Sequence, residues 1–281
     1  MCTVIVGYGL SERQPVVIAA NRDEMLDREA EPPRLWDGNP VMLAPVDRVR
    51  HGTWIGVNAR GVFAALTNRI DVKSVPHDDT SRPKQESRGD IVILALQAST
   101  AEDAVARIAR LSSRRYNGFN LVIGDAVNGL WTLTGGGVDD RNEHPFVFDR
   151  IRPADRALLI VSNLGIGPEH SPRAEAICRE WEKGRLGRVG EKPHRGTWNR
   201  LLTIHDPDPK LEPEWMRRMT STCIHRPADE GYGTRSSAYV ELSARFGPYP
   251  AEWRYWHRER PDHGHACQGR WDAVRTLPVI E

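Results

Sequence analysis

The chain has 281 residues, 39% of them hydrophobic and 27% charged, with a formal net charge of +1. That composition suits a globular protein with a sizeable core, and the near-neutral balance removes the field that would draw in nucleic acid or an acidic membrane surface. No run of about 18 apolar residues predicts a membrane-spanning helix, and the start lacks the basic flank and apolar stretch of a secretion signal, so the cytoplasm is the default location.

Residues 3–8 and 16–20 read as strands, with Ser11, Glu12, Arg13, Gln14 and Pro15 as the turn of an opening hairpin. Apolar runs at 53–57 and 62–67, joined by Asn58, Ala59, Arg60 and Gly61, predict a second hairpin. Residues 71–88, with Pro76 and Pro83, read as a surface loop, and 91–98 as a buried helix. Thr100, with Asp103 three residues on, reads as an N-cap. Ala101, Ala104, Val105, Ile108 and Leu111 then recur at helical spacing to about Leu111. Strands return at 119–123, 129–134 and 157–161. Ser171-Pro172 opens a helix carrying Ala174, Ile177, Cys178 and Trp181 on one side, and another helix lies around 197–204. Residues 220–225 and 236–243 read as strands, and the Trp/His/Arg-rich tail from 248 as strands with a polar loop near Asp262 and Gly264. Strands come in hairpins and not in alternating β-α-β units, which predicts antiparallel sheets covered by helices in a single domain over 1–281.

Cys2, Cys178, Cys223 and Cys267 are far apart, and no pair has Cys-x-x-Cys spacing. Neither a zinc ribbon nor a thioredoxin-like site is expected, and free thiols are the default. Gly7-x-Gly9 lacks the third glycine of a dinucleotide loop, position 12 being Glu12. No phosphate-binding loop, His-Glu-x-x-His or Gly-x-Ser-x-Gly occurs. His263, His265 and Cys267 alternate and would share one face of a strand, but a solvated polar tail is the simpler reading, so no metal site is expected. Gly135-Gly136-Gly137 reads as a turn needing positive φ.

Cys2 directly follows the initiator methionine. Removal of Met1 would leave a thiol nucleophile and an α-amine base on one residue, and an α-amine ionises near 7.7–8.0, about right for accepting the thiol proton at neutral pH. Ala20 is followed by four polar residues, Asn21, Arg22, Asp23 and Glu24, which the first hairpin returns beside the chain start. There Asp23 could hold the α-ammonium and Arg22 could lower the thiol pKa; a solvated strand end is the competing reading.

The motif at Asn21, Arg22, Asp23 and Glu24 resembles that of the NRDE family, also called the transport and Golgi organisation 2 family. Met1-Cys2, His51-Gly52-Thr53-Trp54 (usually Gly-Gly-Thr-Trp), Ala65-Leu66-Thr67-Asn68, Ser87-Arg88-Gly89 and Tyr116-Asn117-Gly118-Phe119-Asn120-Leu121 match in order. Ser162-Asn163 and Tyr232-Gly233-Thr234-Arg235 complete the set. The family in turn resembles cysteine N-terminal nucleophile hydrolases such as choloylglycine hydrolases and penicillin V acylases. That resemblance implies an α+β fold, a four-layer αββα sandwich of two antiparallel sheets. It implies Cys2 as the nucleophile toward a linear amide, Asp23 as the group orienting the α-amine, and Asn68 in the oxyanion hole. Asn163 and Arg235 complete the expected catalytic set. In that branch an arginine usually precedes the Asn-x-Asp element; here Ala20 stands there and Arg22 lies inside the motif. Arg22, Trp54 and Asn21 are expected on the substrate side, Trp54 as pocket wall or core. Arg235 is expected to keep the thiol ionised, to bind a substrate carboxylate, or to pair with Asp23. Asn117 and Asn120 read as turn residues.

Two functions follow from the resemblance. One is an amidohydrolase acting on an amide or acyl bond of a small or lipid-like molecule, with no resident cofactor. The other is a non-catalytic binding or transfer protein for haem or acyl-CoA/lipid, in keeping with the family's links to secretory organisation, haem traffic and lipid metabolism. Neither involves nucleic acid or an integral membrane segment, and the oligomeric state stays open.

Overall fold

The computed structural model describes residues 2–70, 86–136, 146–152, 155–184, 195–205, 220–225, 231–244, 251–261 and 266–280. A six-stranded antiparallel sheet contains β1 (Cys2–Ser11), β2 (Gln14–Met25), β10 (Ala157–Val161), β11 (Tyr232–Ser243), β12 (Glu252–Glu259) and β13 (Asp272–Pro278), in the order β10-β1-β2-β11-β12-β13. A seven-stranded antiparallel sheet runs in sequence order through β3 (Ala30–Trp36), β4 (Met42–Asp47), β5 (Ile55–Asn58), β6 (Phe63–Asn68), β7 (Phe119–Asp125), β8 (Gly129–Gly135) and β9 (Val147–Ile151).

Three apolar clusters define the layers. Val4, Val6, Ile18, Val57, Phe63, Val122, Val240 and Trp253 pack between the two sheets. Ala64, Leu66, Leu121 and Ile123 meet α1 (Arg88–Leu96) and α2 (Ala101–Ile108) on the outer face of the larger sheet. Ile5, Val17, Ala19 and Tyr239 meet α3 (Pro172–Gly184) and α4 (Arg195–Leu202) on the outer face of the smaller one. This is the expected αββα sandwich. Sheets covered on both faces explain why β1 and β2 read as unbroken apolar runs instead of alternating ones. Helix α4 lies so close to β1 that a Cβ on Gly7 would meet the Trp198 ring at 2.6 Å.

Thr100 accepts from the Asp103 N–H at 3.0 Å, as the capping pattern predicts, although α2 ends at Ile108, short of Leu111. Gly136 takes φ +70°. Residues 220–225 do not form the predicted strand; they make bends and one bridge, His225 to Gly233. Strands β3, β4 and β9 were not apparent in the sequence. β3 and β9 are the polar edges of their sheet, and β3 and β4 carry prolines, which edges and bulges tolerate. Most of the loop predicted at 71–88, Gly137, Asp262, His263, Gly264 and His265 lie outside the described residues.

Asn58 closes the β5–β6 hairpin and ties it to the helices. Its Nδ2 donates to the Leu96 and Ala98 carbonyls at 2.7 and 2.8 Å, and its Oδ1 accepts from the Arg60 and Val62 N–H groups, both at 2.9 Å. All four bonds of a fully buried amide are thus made. Asn58→Ala is expected to cost about 3 kcal/mol, because buried backbone groups lose their partners. For a chain of this size that lowers Tm by roughly 6–12 °C in thermal unfolding; a fall under about 2 °C would disprove it.

Candidate active site

Strand alternation decides which groups meet. Val4, Val6, Ile18 and Ala20 face the other sheet, whereas Ile5, Val17 and Ala19 face the helices. Cys2 pairs with Arg22 and Thr3 with Asn21 across the hairpin. Cys2 and Arg22 therefore share the inter-sheet face, and Thr3, Asn21 and Asp23 the helical face. The motif lies within β2, not at a solvated end: Asn21, Arg22 and Asp23 are all buried.

The Arg22 guanidinium stacks 4.4 Å from the Trp54 ring centroid and stands 3.8 Å from Asp47 Oδ2. Neither terminal nitrogen has a hydrogen-bond partner among the described residues. Burial lowers its pKa, opposed by the charges of Cys2, Glu24 and Asp47. Arg88, at the first position of α1, is held by the Gly118 carbonyl at 3.0 Å, and its pKa is likewise lowered by burial and supported by Cys2 and Glu24. Its placement rests on two glycines: a Cβ on Gly52 would meet Gly89 Cα at 2.8 Å, so α1 docks directly on the His51-Gly52-Thr53-Trp54 segment. Two arginines thus contribute to the field at Cys2; only Arg22 was expected.

Asn163 links Cys2 to β6. Its Oδ1 accepts from the Cys2 backbone nitrogen at 2.8 Å, and its Nδ2 donates to the Asn68 carbonyl. Its own carbonyl accepts from the Ile70 N–H at 2.8 Å. With Met1 removed, that Cys2 nitrogen would be the α-amine. The Asn68 side-chain amide has no hydrogen bond among the described residues. Asn120 is not a turn residue. It lies buried in β7, and its Nδ2, with the Thr67 hydroxyl, donates to the Ser162 carbonyl and fixes the segment bearing Asn163.

Asp23 sits on the far side of the strand from the sulfur. One oxygen takes the Arg173 guanidinium at 3.1 Å and the other the Thr234 hydroxyl at 2.5 Å. Arg173 also donates to Thr3 Oγ1 at 2.8 Å, and its side chain is as buried as that of Asp23. Burial pushes the Asp23 carboxyl up; Arg173, the chain's amino terminus and Thr234 oppose that. The ion-pair partner of Asp23 is Arg173, which the sequence reading missed. The available signal was its place in the first turn of α3, where the helix dipole disfavours a cation unless a tertiary partner offsets it.

Two expected roles need correction. Asn21 does not face a substrate: its Nδ2 donates to the Leu202 and Thr222 carbonyls at 2.9 and 2.7 Å, and its Oδ1 accepts from the Ser237 hydroxyl at 2.7 Å. Alternation turns it to the helical layer, where its bonds are structural. Arg235 does not pair with Asp23; it lies in the bulge of β11, donates to the Leu26 and Arg28 carbonyls, and approaches Glu259 at 3.7 Å. Its charge adds to the lowering of the Arg22 pKa.

Cys2 keeps some residue surface accessible, yet its thiol sits deep among protein atoms. Burial pushes the thiol pKa up; the amino-terminal charge and the Asp23 N–H pull it down. Burial prevails, so the resting group is a thiol.

The model of the family "Transport and Golgi organisation 2" matches residues 1–245. The chain belongs to that family. Transport and Golgi organization protein 2 homologs from Bos taurus and Homo sapiens are each 31% identical over 115 and 113 residues, which is 39% of this chain and 38% of theirs. The aligned stretch therefore spans well under half the length of these family members. Among solved structures, a Caenorhabditis elegans N-acylethanolamine-hydrolyzing acid amidase ortholog is similar over 85% of this chain and 92% of its own, with TM-score 0.55 and 12% identity. A variant of conjugated bile acid hydrolase from Clostridium perfringens is similar over 99% and 98%, with TM-score 0.51 and 6% identity. At such identities the likeness is one of fold. The family match ends before β12 and β13, so the last two strands of the smaller sheet lie beyond it.

Proposed function

We propose that this protein is a cysteine N-terminal nucleophile amidohydrolase whose acyl donor carries an anionic or strongly polarised group beside the scissile bond. The observation that carries the reading is Arg22: a buried cation on the same face as Cys2, whose terminal nitrogens have no hydrogen-bond partner among the described residues. A buried guanidinium is costly when its donors are unmet, and a carbonyl oxyanion or a carboxylate would meet them.

In this mechanism Met1 is removed and the Cys2 α-amine stays on Asn163 Oδ1. The amine takes the thiol proton as Sγ bonds to the carbonyl carbon. The oxyanion is stabilised by the Asn68 amide and Arg22, with Arg88 adding to the field. Collapse breaks the C–N bond, the α-ammonium returns its proton to the departing amine, and a thioester remains. Water, deprotonated by the α-amine, then hydrolyses the thioester and restores the thiol. Arg235 acts as a positioning residue for the β2 turn. Thiol burial supports this order of events, because a preformed thiolate is disfavoured and the α-amine must act at the moment of attack.

The test is intact mass of the purified protein before and after incubation with acyl donors with and without a carboxylate. Loss of Met1 and a transient acyl adduct on Cys2 are expected. Arg22→Met should slow acylation by about 10²–10³, the scale of one oxyanion donor. Retention of Met1, or adducts only on Cys178, Cys223 or Cys267, would reject the reading and leave the binding-protein alternative, read by haem or acyl-CoA titration.

A further inference from the structure

Four metal-ligating side chains converge on the helical side of β11. His205 follows α4, Cys223 and His225 lie in the bends before β11, and Cys267 lies in a 3-10 turn, Ala266–Gln268, between β12 and β13. One donor atom from each lies within 4.8 Å of all the others. His225 Nε2 is 3.2 Å from Cys223 Sγ and 3.5 Å from Cys267 Sγ, and the His205 and His225 rings are 4.6 Å apart. A tetrahedral zinc ion with bonds of about 2.0–2.3 Å sets its ligand atoms roughly 3.4–3.8 Å apart. The cluster matches that spacing after shifts of about an ångström or less.

The scaffold under each ligand is built. Ile204 donates to Thr222 Oγ1 at 2.9 Å, and the Thr222 N–H returns a bond to the Ile204 carbonyl at 3.0 Å, so His205 and Cys223 are tied together. Ile224 and Thr234 exchange bonds of 2.7 and 3.0 Å, fixing the segment between Cys223 and His225 to β11. The buried Arg258 reaches Asn199 Oδ1 at 2.9 Å, Ser237 Oγ at 3.0 Å and the Cys267 carbonyl at 3.4 Å. Soft thiolates with imidazoles in a tetrahedral set select zinc over magnesium or calcium.

We propose that His205, Cys223, His225 and Cys267 form a closed, four-ligand structural zinc site that clamps the C-terminal strands to the rest of the smaller sheet. Three ligands fall inside the family-matched span and the fourth, Cys267, beyond it. The proposal stands whether or not Cys2 is a nucleophile. Because four protein ligands leave no open position, the role is structural, not catalytic.

The test is elemental analysis of protein purified without chelator, with one zinc per chain expected. After chelator treatment, added zinc chloride should protect Cys223 and Cys267 from iodoacetamide while leaving Cys178 labelling unchanged. Cobalt(II) in place of zinc should give the absorption of a tetrahedral thiolate site. His205→Ala, at an exposed position that should not disturb folding, is expected to lose the bound zinc and the protection. A zinc-free protein whose two cysteines alkylate equally with and without zinc, an octahedral cobalt spectrum, or recovery of a Cys223–Cys267 disulfide would each overturn the proposal.

Discussion

Cys2→Ala is expected to abolish acyl-adduct formation and turnover, with a loss on the order of 10⁶, while the fold persists. The variant isolates the sulfur. Alanine is as small as cysteine, so Met1 processing and the α-amine are both kept, and the bond to Asn163 uses the backbone nitrogen, which no substitution at Cys2 removes. Only the nucleophile is missing. Thermal unfolding should change by less than about 1 kcal/mol, since a half-buried residue at the start of β1 loses one sulfur atom. Turnover that survives in Cys2→Ala, measured on the donor giving the strongest adduct, would remove Cys2 from the chemistry.

Arg173→Met is expected to be the most damaging substitution for stability. It takes the guanidinium from the fully buried Asp23 carboxylate, whose other favourable partners include the Thr234 hydroxyl and the amino-terminal charge. Breaking a buried pair from one side costs about 3–5 kcal/mol, a drop in Tm of roughly 6–20 °C. The loss should depend on pH. Burial already holds the Asp23 carboxyl above its ordinary value, and removing Arg173 raises it further. A carboxyl raised in the folded state contributes its stability below the unfolded value and loses it as pH rises through the folded value. The deficit of Arg173→Met relative to wild type should therefore shrink as pH falls from 7 toward the ordinary carboxylate range near 4. A deficit that is constant or grows on acidification would show that Asp23 is not the stranded group. Unfolding midpoints in urea at several pH values decide this.

Much of the fold was legible because its inner strands are hydrophobic on both faces. Residues 3–8, 16–20, 62–67 and 119–123 declare themselves as strands, and Thr100 and Pro172 announce helix starts. The strands that stayed hidden, β3, β4 and β9, are polar edges or proline-bearing segments whose pairing comes from neighbours and not from their own pattern. The reading of 220–225 as a strand failed for a related reason: Thr222 and Cys223 spend their hydrogen bonds on Ile204 and not on a neighbouring strand.

The sequence alone determined the layered antiparallel architecture, the nucleophile candidate Cys2 and the motifs that gather around it, because periodicity and motif order are local properties. Only the tertiary structure decided which side of β2 each motif residue occupies. Alternate residues of a strand point to opposite faces, so Arg22 joins Cys2 while Asn21 and Asp23 turn to the helices. Tertiary structure also chose Arg173 over Arg235 as the partner of Asp23, and it brought Cys267 to His205, Cys223 and His225. Those contacts join residues from 42 to 150 positions apart in the chain, and no spacing rule reaches across distances that loops and sheet order alone bring to contact.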